Sequence, residues 1–194
     1  MGDAYFPFPF KWGRSESTDL VSYVRWFCGY KALTLTGEAD DEWDRSAHDI
    51  RRLAKRQRDV TFHAGPLRSC PGDMIRVDVA KTFKTSGTPP GVNPRDVTGL
   101  DFRCLAFMLS QPEVARAVRA IVTVVEVGGE TTREVAVLCE HGKHRSVAVA
   151  MIMIALVYPQ ARLALHNERA LVDARTYLDS AKHSAASNRA SALD

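Results

Sequence analysis

The stretch from Val135 to Tyr158, "VAVLCEHGKHRSVAVAMIMIALVY", constrains the fold most. Val135, Ala136, Val137 and Leu138 are apolar without alternation. A strand that is apolar on both faces belongs in the interior of a sheet, typically a parallel one. The run Val147–Tyr158 is apolar throughout, reads as a buried helix, and is too short to span a bilayer. Between strand and helix lies the polar loop Cys139–Arg145. A strand feeding a helix through a short loop is the unit of α/β folds, which bind ligands at the carboxyl ends of their strands.

The rest of the chain repeats this alternation. "VTFHA" at 60–64 and "MIRVDVA" at 74–80 read as strands around the turn Cys70-Pro71-Gly72-Asp73. A long Gly/Pro/Thr-rich loop follows over 81–96, carrying Lys81, Lys84 and Arg95; a loop this long is functional or mobile. A helix is expected from about Leu100, and a second opens at Pro112 in the first helical position. Gly128-Gly129 breaks the chain before a strand at 133–138. Pro159 stops the apolar helix, "ARLALH" is a short strand, and "NERALVDARTYLDSAKH" is a last helix. The expected architecture is one α/β domain over 71–184, with a mixed or mostly parallel sheet flanked by helices. An N-terminal helical extension occupies 1–70 and a flexible tail 185–194.

Within that extension, "YFPFPF" interleaves Pro with aromatics, giving an arm that packs on the domain or on a protein partner. A short helix is expected from Thr18 or Asp19 to Cys28. Over 41–58, Trp43, Ala47, Ile50 and Ala54 recur at helical spacing. The remaining face carries Arg45, Arg51, Arg52, Lys55, Arg56 and Arg58, the densest basic cluster in the chain. It is either a solvated helix face or a contact surface for a polyanion such as RNA.

Composition excludes several classes. The net charge is +3, so overall charge makes no case for nucleic acid; only local clustering does. The four cysteines, at 28, 70, 104 and 139, form no CxxC pair, which argues against structural zinc and for reduced thiols. There is no P-loop GxxxxGK[ST] and no GxGxxG. The N-terminus has no apolar core after a basic start, and the expectation is a cytoplasmic protein with no membrane contact. No cofactor is indicated.

The loop Cys139–Ser146 combines three features that suit an anion. It sits at the carboxyl end of a central strand and runs into a helix N-terminus with free N–H groups and a positive dipole end. It also carries Gly142 for close backbone approach, with Lys143, His144 and Arg145. Cysteine, five residues and arginine is also the spacing of a cysteine phosphatase loop. On that reading Cys139 is the nucleophile, Arg145 holds the equatorial phosphate oxygens, Ser146 helps the sulfur leave, and Asp101 is the general acid. Leu138, where a phosphatase has histidine, and Glu140, which brings negative charge into the loop, count against it. Two further readings stand beside these: Cys139, His141 and His144 as metal ligands, and an assembly protein reusing the fold.

With these residues in place, the chain resembles the C-terminal domain of the RapZ family of RNase adapter proteins. The loop Cys139-Glu140-His141-Gly142-Lys143-His144-Arg145-Ser146-Val147 is similar to the family's C-x-G-G-x-H-R-S-V. Thr98-Gly99-Leu100-Asp101 matches its T-G-x-D, and the likeness runs from about Ile75 to Ala170. The resemblance implies an α/β domain that binds a phosphorylated aminosugar or similar anion, contacts RNA and self-associates. It also implies a pocket lined or supported by Asp78, Arg95, Thr98, Asp101, Cys139, Gly142, His144 and Arg145. The departures are Ala80 in place of the arginine of the family's D-x-R motif, His141 in place of a loop glycine, and no counterpart in 1–70 of the family's kinase-like domain.

Overall fold

The computed structural model describes residues 59–68, 74–128, 134–158 and 160–176. The aromatic arm, the helices expected at 18–28 and 41–58 with Arg45, Arg51, Arg52, Lys55, Arg56 and Arg58, the turn at 70–73 and the tail all lie outside the described residues. The described chain is α/β. In order it runs β1 (Thr61–Pro66), β2 (Ile75–Asp78), α1 (Phe102–Ser110), α2 (Glu113–Val127), β3 (Glu134–Cys139), α3 (Arg145–Leu156) and β4 (Arg162–Leu165). A last helical segment, α4, follows over 168–176.

All four strands are parallel, in the order β2-β3-β1-β4. The doubly apolar strand is therefore interior, with β1 on one side and β2 on the other. The two strands expected around the Cys-Pro-Gly-Asp turn do not pair, because β3 lies between them. Strand β1 falls on the extension side of the boundary expected at residue 70, yet it is a central strand. The sheet domain therefore begins by Thr61.

Alternation along the strands sorts the two faces. Phe62, Ala64, Val135, Val137 and Cys139 point into the main core, joined by Val77, Leu163 and Leu165 from the edges. On the other face Ala136 and Leu138 form a small separate cluster with Met74. Helix α3 lies against β1 and β3 on one side and against α1 and α2 on the other. Ser146 to Ile154 are accordingly all buried. This is the environment that an all-round apolar helix requires. Among the described residues, no helix is long and apolar enough to cross a membrane.

Element ends differ from the sequence expectation by one or two residues, each for a local reason. Helix α1 starts at Phe102 rather than Leu100, because the Asp101 carboxylate accepts from the Arg103 N–H and caps it. Helix α2 starts at Glu113, with Pro112 just outside it. Strand β3 extends through Cys139, which pairs with Pro66. That last shift moves the cysteine out of the loop and onto the core-facing side of a strand.

Phe62 carries much of this packing. It is fully buried, and its ring lies 6.0 Å from that of Tyr158, whose hydroxyl donates to Glu126 at 2.7 Å. Phe62→Ala should lower unfolding free energy by about 3–5 kcal/mol. Urea titration would read this as a fall in midpoint with little change in slope.

Candidate functional site

The four parallel strands end on one edge of the sheet, and the Cys139–Ser146 loop crosses that edge between β3 and α3. Gly142 has φ +63° and approaches β1 so closely that an added Cβ would stand 2.1 Å from the Pro66 nitrogen. Its missing side chain makes room for the protein's own backbone, not for a ligand. Its N–H closes a turn onto the Cys139 carbonyl at 3.3 Å. Cys139 is 3% exposed, and its thiol lies 3.2 Å from the Ser146 hydroxyl, itself in a fully buried residue.

Three other segments hold the loop. The stretch 94–99 lies across it. Lys143 Nζ donates to the Pro94 and Arg95 carbonyls, both at 2.9 Å. His144 Nε2 faces the Pro94 and Val97 carbonyls, both at 3.0 Å, so this nitrogen carries the proton. The Gly99 N–H donates to the Lys143 carbonyl at 2.8 Å. From β2, Asp78 accepts from the Ala80 N–H at 2.9 Å, and the Ala80 carbonyl accepts from Arg145 Nη1 at 3.2 Å. From the far end of the chain, the Asn167 side chain donates to the His141 carbonyl at 3.0 Å.

Most residues expected to line or support a pocket are engaged with other parts of the chain. Asp78 fastens the turn that receives Arg145, with Lys81 3.7 Å from its other oxygen. Thr98 is fully buried and donates to Asp173 at 2.8 Å, and Asp173 also pairs with Arg169. Both Asp101 oxygens are held by the Arg103 guanidinium at 3.0 and 2.8 Å. Arg95 contributes its carbonyl, and its side chain is exposed. Glu140 is also exposed, so its charge is solvated at the rim. Of the three residues considered for a metal, Cys139 faces Ser146, His144 is engaged with carbonyls and His141 is exposed. No cluster that could hold a metal occurs among the described residues.

The start of α3 is the part of this region whose chemistry suits an anion. His144 occupies its cap position without a side-chain cap bond. The N–H groups of the first turn have no acceptor within the helix. One Arg145 donor is committed to Ala80, and a guanidinium has five. Two features here were not legible in sequence. Gly87, at φ +83°, packs on the helix start, where an added Cβ would stand 2.7 Å from Arg145 Cγ and 3.2 Å from its backbone nitrogen. On the other sheet face, His63 Nδ1 lies 2.9 Å from His166 Nε2, one residue before the Asn167 that holds the loop.

No family model, no curated protein and no solved structure matches the chain.

Burial lowers the pKa of both His63 and His144; His166 adds to this at His63, and the two carbonyls oppose it in part at His144. By contrast burial, with the Asp101 carboxylate beside it, pushes the Cys104 thiol up to about 12, leaving it inert. A histidine with a depressed folded-state pKa takes up protons more readily once unfolded. Its contribution is therefore intact above the ordinary value near 6.5 and is lost as pH falls below it. The melting temperature should accordingly drop between pH 7.5 and pH 5. The double variant His63→Asn/His144→Gln should flatten that profile in thermal melts, since each amide keeps a nitrogen donor near the original position.

Proposed function

We propose that the chain is a binding module of RapZ C-terminal type that seats a phosphorylated ligand on the first turn of α3, beside Arg145. One observation carries this reading: a helix start with no side-chain cap, at the carboxyl edge of a parallel sheet, with a guanidinium anchored next to it. Unmatched N–H groups and the positive end of the helix dipole favour a dianion there. The Ala80 carbonyl holds the guanidinium in place before any ligand arrives, which lowers the entropy lost on binding. A cytoplasmic location and a regulatory use of ligand occupancy belong to this reading.

The cysteine phosphatase reading has one observation in its favour, the Cys139–Ser146 contact at 3.2 Å. Against it, Cys139 is buried, and both oxygens of the carboxyl expected as general acid are held by Arg103. Binding without turnover is the reading better supported. RNA contact through Arg51, Arg52, Lys55, Arg56 and Arg58 is a separable part of the proposal. If it operates, RNA affinity falls steeply with salt.

Calorimetric titration with inorganic phosphate tests the reading. The wild-type protein should bind, Arg145→Ala should weaken binding at least roughly tenfold through loss of charged hydrogen bonds, and Cys139→Ser should bind nearly as wild type. Aryl phosphate turnover by the reduced protein that vanishes in Cys139→Ser would replace the binding module with the enzyme.

A further inference from the structure

Three buried side-chain polar atoms among the described residues have no hydrogen-bond partner: His63 Nε2, Thr85 Oγ1 and Thr88 Oγ1. Two of the three sit within one short stretch of the long loop, on either side of Gly87. Thr88 is 7% exposed as a whole residue. A buried hydroxyl left without a partner costs about 1–3 kcal/mol, so such groups are rarely left unmatched in the working state of a protein.

Their position is informative because Gly87 is the residue that packs on the start of α3. A Cβ at Gly87 would contact Arg145 Cγ, the Arg145 backbone nitrogen and His144 Cβ. Its positive φ and this close approach both require glycine. Gly87 is thus brought against the start of α3, with the two unpartnered threonine hydroxyls two residues before it and one residue after it in the chain. Exposed Lys84 continues the segment on its N-terminal side.

We propose that Thr85, Gly87 and Thr88 form the second wall of the anion seat, with the two hydroxyls donating to ligand oxygens held against α3 and Arg145. This rests on the phosphate-binding reading above and narrows the ligand. The first-turn N–H groups, the remaining Arg145 donors and two hydroxyls together call for a ligand with several acceptor oxygens and no donor at that end. A phosphate monoester dianion and sulfate both meet that demand, each with several acceptor oxygens and no donor. A carboxylate, with two oxygens, leaves donors unmatched.

Inorganic phosphate, sulfate and acetate are the probes, titrated into wild type, Thr85→Val, Thr88→Val, the double variant, Thr88→Ser and Arg145→Ala. Valine replaces threonine at nearly constant shape, and thermal melts in phosphate-free buffer check folding. The expected order for wild type is phosphate and sulfate over acetate. Each valine variant should lose phosphate affinity roughly tenfold, Thr88→Ser should retain it, and phosphate should raise the melting temperature of wild type more than that of the double variant. Folded valine variants that bind phosphate as tightly as wild type, while Arg145→Ala does not, would overturn the second wall and leave the seat intact. A wild-type protein that binds no phosphate overturns the seat and the wall together.

Discussion

Burial of α3 on every side is the constraint on which the rest of the structure depends. The helix lies between the sheet and the α1–α2 pair, and its residues from Ser146 to Ile154 are buried. An element enclosed in this way cannot slide or tilt without opening cavities in a close-packed interior. Its first turn is therefore fixed relative to the ends of β1, β2 and β3. A binding group placed there gains the precision of a rigid element, and needs no further ordering when a ligand arrives.

That rigidity explains how the polar residues of the loop are used. The connection from β2 to α1 is long and irregular, and its carbonyls need donors wherever it is pressed against the domain. Lys143 and His144 supply them, taking the Pro94, Arg95 and Val97 carbonyls. Burial keeps His144 from taking up a proton readily, so it serves the covering segment as a neutral donor. Arg145 donates to the Ala80 carbonyl. The loop reads as a row of ligand-binding residues, but much of its chemistry serves to hold the covering segment in place.

The cysteine illustrates how a small change of register alters a functional reading. Cysteine, five residues and arginine suggests a nucleophile cupped in a loop. Here Cys139 is the final residue of β3, paired with Pro66, and alternation sends its side chain into the core with Val135 and Val137. Its neighbour Ser146 is equally buried. Glu140, which reads as an intruding charge, points to solvent one residue later because the strand has ended. The spacing alone does not distinguish these arrangements.

Hydrophobic pattern by itself determined that the chain is α/β, that Val135–Leu138 is an interior strand, and that the helix after it is enclosed. These follow from period and polarity, which act locally and survive without knowledge of partners. The same local rules placed an anion-suited loop at the carboxyl end of that strand. Tertiary structure decided the strand order, in which β3 separates two strands adjacent in sequence. It also decided which polar groups are already matched: Asp101 by Arg103, Thr98 by Asp173, and His144 by two carbonyls. Thr85 and Thr88 are left without a partner beside a glycine pressed on Arg145. Whether a donor is satisfied depends on groups far away in sequence, here 75 residues away for Thr98 and 47 for His144 with Val97. For that reason the matched and unmatched donors could be told apart only once the chain was folded.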